Sequence, residues 1–233
     1  MKIKSNTALV STSLLSLALV STPALSQTEA DRRFKLLQLD EMTAPQRALS
    51  DSILNGPRRA LADPNLPAPK SVGSPFNVWL RSPELGDRLQ KIGEHIRFKS
   101  TLGPRLNEFA ILITARYWGA QYEWFAHHRL AMQAGLNPSI AQDVAEGRVP
   151  AGMKEDEAIV YRFTRELHLK HFVSDETFKL ARDKLGEQGV VDLIGVNGYY
   201  VLVSMTLNVD RTPIPGGGPA LLKPLAKALP DIE

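Results

Sequence analysis

The side chains best suited to chemistry in this sequence are Glu108, Glu123 and His127. Glu123 and His127 stand four residues apart in "ARYWGAQYEWFAHHRLAMQAGL", so on a helix they stack on one face. Glu108 lies in "LNEFAILIT", where nearly every direction around the helix is apolar. A carboxylate there is predicted to be buried, which is costly unless it is paired or protonated. An imidazole beside two such acids can take and give a proton near neutral pH, and His127 is therefore the expected general acid/base. Glu108 would set its protonation, and Glu123 would orient it or act as a second carboxylate.

The same three groups are also suitable ligands for zinc, iron or manganese, or could be structural in a non-catalytic binding or assembly protein. Arg116 offers a guanidinium fork for a substrate carboxylate. Tyr122 and Trp124 are candidate walls of a small-molecule pocket, as are Phe76, Trp79 and Tyr199, which flank the motif helices. Ala120, Ala131 and Ala134 leave room above the backbone near the Glu123 face. His128 points elsewhere, and His168 and His171, three apart, are expected at a solvated helix end.

Helical periodicity and its punctuation place these residues. From Asp31 to Leu61 the pattern reads as a helical arm, followed by the Pro-rich connector "ADPNLPAPKSVGSPF". A helix follows from about Ser82 to Phe98, with Ser82 as cap and Pro83 at its first position. Pro104 opens the helix of Glu108, and Gly119 breaks or kinks it before the helix of His127, which Gly135 closes. Asn137-Pro138 starts a short helix, acids lead and bases end "KEDEAIVYRFTRELHLKH", and Ser174 caps the next. Val190 to Val209 is a long apolar helix, and residues 211–233 form a Pro/Gly-rich tail expected to wrap a neighbouring subunit. The fold class is all-α.

The opening residues have the form of a secretory leader. Lys2 and Lys4 precede an apolar run from Ala8 to Val20, and small residues end it at Ala24-Leu25-Ser26. The run is shorter than the roughly 20 residues that span a bilayer. A cut near residue 26 would deliver a periplasmic or secreted protein with no membrane contact of its own. Losing Lys2 and Lys4 takes 28 basic side chains to 26 against 25 acidic ones, a charge of +1. That balance argues against a nucleic-acid partner. The chain has no cysteine, which excludes disulfides, thiolate catalysis and cysteine-ligated metals.

The spacing from Glu108 to Ala120, Glu123 and His127 resembles that of the carboxymuconolactone decarboxylase/AhpD-like family over about Val78 to Asn208. In the thiol-peroxidase branch of that family the motif is Glu, then Cys-x-x-Cys, then His. Ala120 and Glu123 occupy the cysteine positions here, so a disulfide cycle has no reagents, and the chain resembles the cysteine-free branch. The resemblance implies an AhpD-like helical fold over residues 76–210, with residues 27–75 as an arm and connector. It also implies a homo-oligomer, trimer or hexamer, and cofactor-independent lyase or proton-transfer chemistry on a small carboxylated or lactone-type substrate.

Overall fold

The computed structural model describes residues 28–61, 71–216 and 221–223. The leader expected over residues 1–26, part of the Pro-rich connector and most of the expected tail lie outside the described residues. Among the described residues all regular structure is helical. The helices are α1 (Ala44–Leu54), α2 (Phe76–Trp79), α3 (Pro83–Lys99), α4 (Gly103–Tyr117), α5 (Gln121–Gln133), α6 (Pro138–Ala145), α7 (Glu155–Lys170) and α8 (Asp175–Asp210).

Helix α4 is the axis of the molecule, packing against α5, α6, α7 and α8. Its sequence explains this, because Phe109, Ala110, Ile111, Leu112, Ile113 and Ala115 are all buried and a helix apolar on every side is stable only when surrounded. Gly119, in the left-handed region at φ 57°, separates α4 from α5, as a residue without Cβ can at little cost. Asn137 caps α6 by accepting from the Ser139 backbone N–H at 3.0 Å. Glu166 of α7 holds the start of α8. It accepts from the Ser174 backbone N–H at 2.8 Å and from the Ser174 and Thr177 hydroxyls. The Ser174 N–H bond leads the causes that hold its carboxyl down to about 2.

The two helices expected after Ser174 are both present within Asp175–Asp210, separated at Gly186, which lies outside helical geometry at φ 71°, ψ 171°. The later part of α8 is long and apolar enough to cross a membrane by length and composition, but half of that window is buried in the body. Leu193, Val196, Tyr200, Val203 and Leu207 form its core face.

The arm departs from expectation. Only Ala44–Leu54 is an α-helix, with 3-10 turns at Glu29–Asp31, Leu39–Glu41 and Pro57–Leu61, and residues 32–38 are not helical. Their backbone bonds go to the body instead: the N–H groups of Arg33 and Phe34 donate to Asp210, and that of Leu37 donates to Asn77 Oδ1. Arg32 adds an ion pair to the fully buried Asp210 at 2.5 Å. Apolar periodicity cannot anticipate partners of this kind, which come from residues 40 to 178 positions away. Helix α1 then packs on α3, where a Cβ at Gly86 would come within 2.7 Å of Leu49. The absence of that Cβ lets the arm approach closely. The described piece of the tail docks on its own chain, with Leu222 buried and the Leu221 and Leu222 N–H groups donating to Gln121 Oε1.

Candidate active site

Helix α5 supplies Glu123 and His127, α4 supplies Glu108, and all three side chains are buried. His127 Nδ1 donates to Glu108 Oε2 at 2.6 Å. Its Nε2 lies 3.0 Å from Glu123 Oε1, yet the approach is not in line with the ring N–H, and Glu123 Oε1 has no hydrogen-bond partner. Two acids therefore flank one imidazole, gripped firmly on one side and loosely on the other. Burial opposes charge on this ring, but the nearby Glu108 and Glu123 outweigh it and raise the His127 pKa to about 9. The two carboxylates thus favour the protonated form of His127 at neutral pH.

The geometry bears directly on the metal alternative. The two ring nitrogens point away from each other, and each faces a different carboxylate, so the three groups do not converge on a common point. Among the described residues no cluster of three His, Asp or Glu side chains is arranged to hold a metal ion.

Tyr200 of α8 packs edge-on against His127, with ring centroids 5.0 Å apart, and burial pushes its phenol well above the usual range. Tyr199 packs edge-on to Tyr200 and Trp79, and Trp79 edge-on to Phe76. Phe76, Tyr199 and Tyr200 border a cavity of about 130 Å³. Its lining comes from α5 (Tyr122, Glu123, Ala126 and His127), α8 (Tyr199, Tyr200 and Val203), the start of α2 (Phe76), α3 (Arg97) and the arm (Arg58).

The structure brings Glu108, Glu123 and His127 together, with Phe76, Tyr122 and Tyr199 at the same cavity. Trp79 stands behind Tyr199 without lining it. Trp124 faces elsewhere, stacked on His128 with centroids 6.0 Å apart, and lines a larger cavity of about 530 Å³ between α5, α6 and residues 221–223. That larger space is bordered by no buried ionisable group, whereas the smaller one is bordered by Glu123 and His127. The room expected over Ala120, Ala131 and Ala134 opens over Ala126 instead.

Arg116 also departs from expectation. It is buried and directed at the tail, donating to the Lys223 carbonyl, and it does not line the cavity. Glu108 instead has Arg97 at 3.8 Å. Arg58, Arg97 and Tyr200 carry no local signal in the sequence, because their meeting depends on tertiary packing. His168 is not at a solvated helix end: its ring stacks on Tyr117 at 5.3 Å, and Nε2 is 3.1 Å from Thr114 Oγ1.

No protein-family profile matches the chain, and no curated protein matches it significantly. Solved structures do match. A protein of unknown function from Agrobacterium tumefaciens, described as a candidate antioxidant defence protein AhpD, superposes with a TM-score of 0.54 at 15% identity. The match covers 60% of this chain and 96% of that one. The debrominase Bmp8, solved as a cysteine-to-alanine variant with 2,3,4-tribromopyrrole, matches with a TM-score of 0.52 at 14% identity. It covers 84% of this chain and 94% of that one. The fold is AhpD-like and all-α.

Proposed function

We propose that the cavity beside His127 is the active site of a cofactor-independent enzyme, a lyase or proton-transfer catalyst acting on a small carboxylated or lactone-type molecule. One observation carries the reading: an imidazole held between two buried carboxylates, with His127 and Glu123 at the wall of a cavity of about 130 Å³. The space is slightly smaller than the cavity of about 150 Å³ that accommodates benzene, so it takes at most one ring.

In a decarboxylation, the bond from substrate carbon to carboxylate breaks and carbon dioxide leaves. The electron pair remains on carbon, which takes a proton from His127, and solvent then returns a proton to the imidazole. Nδ1–H is tied to Glu108, so the Nε2 proton is the one delivered. Glu108 and Glu123 stabilise the charged ring before transfer, and in the reverse sense the neutral Nε2 takes the proton back from carbon. Because the chain has no cysteine, a thiol peroxidase cycle is not part of the proposal. The reading retains export by the leader and assembly into a homo-oligomer.

The test is solvent deuterium incorporation, followed by NMR, across single-ring carboxylic acids and lactones. Wild type is expected to place deuterium at carbon in at least one of them. A folded His127→Gln protein should lose at least about 100-fold of that rate, the usual contribution of a positioned acid/base. Full turnover in that variant would remove His127 from the mechanism.

A further inference from the structure

The cavity has a second polar end that the reaction above does not use. Arg58 enters from the 3-10 turn Pro57–Leu61 of the arm, and Arg97 from α3. Arg58 is half-buried, with its guanidinium 4.9 Å above the Phe76 ring centroid. Its hydrogen bonds go to neutral acceptors, from Nη1 to Gln90 Oε1 at 3.2 Å and from Nη2 to the Gln90 carbonyl at 3.0 Å. Among the described residues no carboxylate pairs with it. Arg97 has Glu108 at 3.8 Å, too far for a good hydrogen bond, and that carboxylate is already engaged by His127.

Glu94 acts on Arg58 only through its field, so most of the guanidinium's five N–H donors are not engaged by an acid. Arg58 and Arg97 thus border one end of the cavity with hydrogen-bonding capacity to spare, and Tyr199 and Tyr200, whose phenols burial raises, add no negative charge there. Arginine forks suit a carboxylate geometrically, and the rings of Phe76, Tyr122 and Tyr199 suit a flat apolar body between the two polar ends. The opposite end keeps an acceptor: Glu123 Oε1, on a side chain only 2% exposed, is ion-paired to His127 Nε2 at 3.0 Å but receives no hydrogen bond.

We propose that Arg58 and Arg97 form the anion-binding end of this cavity and that its ligand is a single-ring carboxylate, held by the guanidinium groups with its ring toward Glu123 and His127. The inference rests on the active-site reading for its location. It adds that the N-terminal arm, through Arg58, supplies substrate selectivity. Arg116, the carboxylate holder expected from sequence, is replaced in that role by two residues from other elements.

The experiment is binding of benzoate and of its neutral counterpart benzamide to the full chain, by calorimetry or ligand-observed NMR. Wild type is expected to favour benzoate by about ten-fold or more, the size of a charge-assisted hydrogen bond. Arg58→Gln should abolish the preference by weakening benzoate alone, and Arg58→Lys should restore part of it. Arg97→Gln should reduce the preference independently, which covers a failure of Arg58→Gln to fold. Equal affinity for the two ligands in wild type, no binding of either at millimolar concentration, or an unchanged ratio in both glutamine variants would overturn the assignment. Benzoate selectivity without deuterium exchange in any acid would leave the subsite standing and remove the reaction. Exchange without benzoate selectivity would do the opposite.

Discussion

His127 and His168 both reach α4, and both lie largely out of solvent, but α4 meets them with different chemistry. It offers His127 the carboxylate of Glu108, and it offers His168 the hydroxyl of Thr114. The Thr114 hydroxyl donates to the Ala110 carbonyl at 2.9 Å, leaving its oxygen free to accept from a neutral imidazole. Asn197 completes this second group, donating to Thr164 and to the Leu193 carbonyl. Burial there has no opposing carboxylate to overcome, and the His168 pKa falls to about 4. A buried histidine alone thus says little about function. What sets His127 apart is the pair of carboxylates around it and a cavity at its side.

Removing each ring gives the largest test of that contrast. His127→Ala would leave two buried carboxylates without their cation, a loss of the kind that costs about 3–5 kcal/mol. His168→Ala deletes a stacked ring but strands no charge, so about 1–2 kcal/mol is expected. Urea unfolding at neutral pH measures both. Similar losses would mean that the His127 cluster is no more charged than the His168 network.

Stability should also respond to pH in opposite directions at the two sites. His127 has a folded pKa of about 9, above the ordinary 6.5. Its contribution is therefore fully present below pH 6.5 and is lost as pH rises through 9. The full shift corresponds to about 3 kcal/mol. His168 has a folded pKa of about 4, below its ordinary value, so stability falls as pH drops from 6.5 toward 4 and the unfolded chain takes the proton first. That loss should be smaller, about 1–2 kcal/mol, because the ring is only partly buried. Denaturation curves from pH 4 to 10 should show a maximum near pH 6.5. His127→Gln should flatten the alkaline limb alone, and His168→Gln the acid limb alone.

The distinction was only partly legible in the sequence. Helix ends announce themselves locally: Gly119, Asn137 with Pro138, and Ser174 each impose a break or cap whatever the tertiary context. The Glu123/His127 pairing is legible for the same reason, since four residues on a helix fix a face. Glu108 is readable as buried from its apolar surroundings, although its partner is not. The path of residues 32–38 depends on Asp210 and Asn77, and the cavity draws on Arg58, Arg97 and Tyr200 from three separate elements. The surroundings of His168 are not legible, because its position near the end of α7 resembles a solvated terminus, whereas Tyr117 and Thr114 of α4 cover it.

The smallest effect concerns packing without charge. A Cβ at Gly93 would lie 2.1 Å from the Tyr199 hydroxyl oxygen, so Gly93→Ala must displace a ring that lines the cavity and packs against both Tyr200 and Trp79. Overpacking of this kind is expected to cost about 1–2 kcal/mol and to weaken benzoate and benzamide together, since it changes shape and leaves both arginines in place. The two histidine titrations, followed by NMR, should not move. If the His127 pKa fell in Gly93→Ala while Glu108 and Glu123 were intact, ring packing would be setting the charge of the site through desolvation. The contrast with His168 would then be one of burial and not of carboxylates. An unmoved His127 beside weakened ligand binding would separate the two functions of the cavity wall: α4 and α5 fix the proton, and α3 and α8 fix the space.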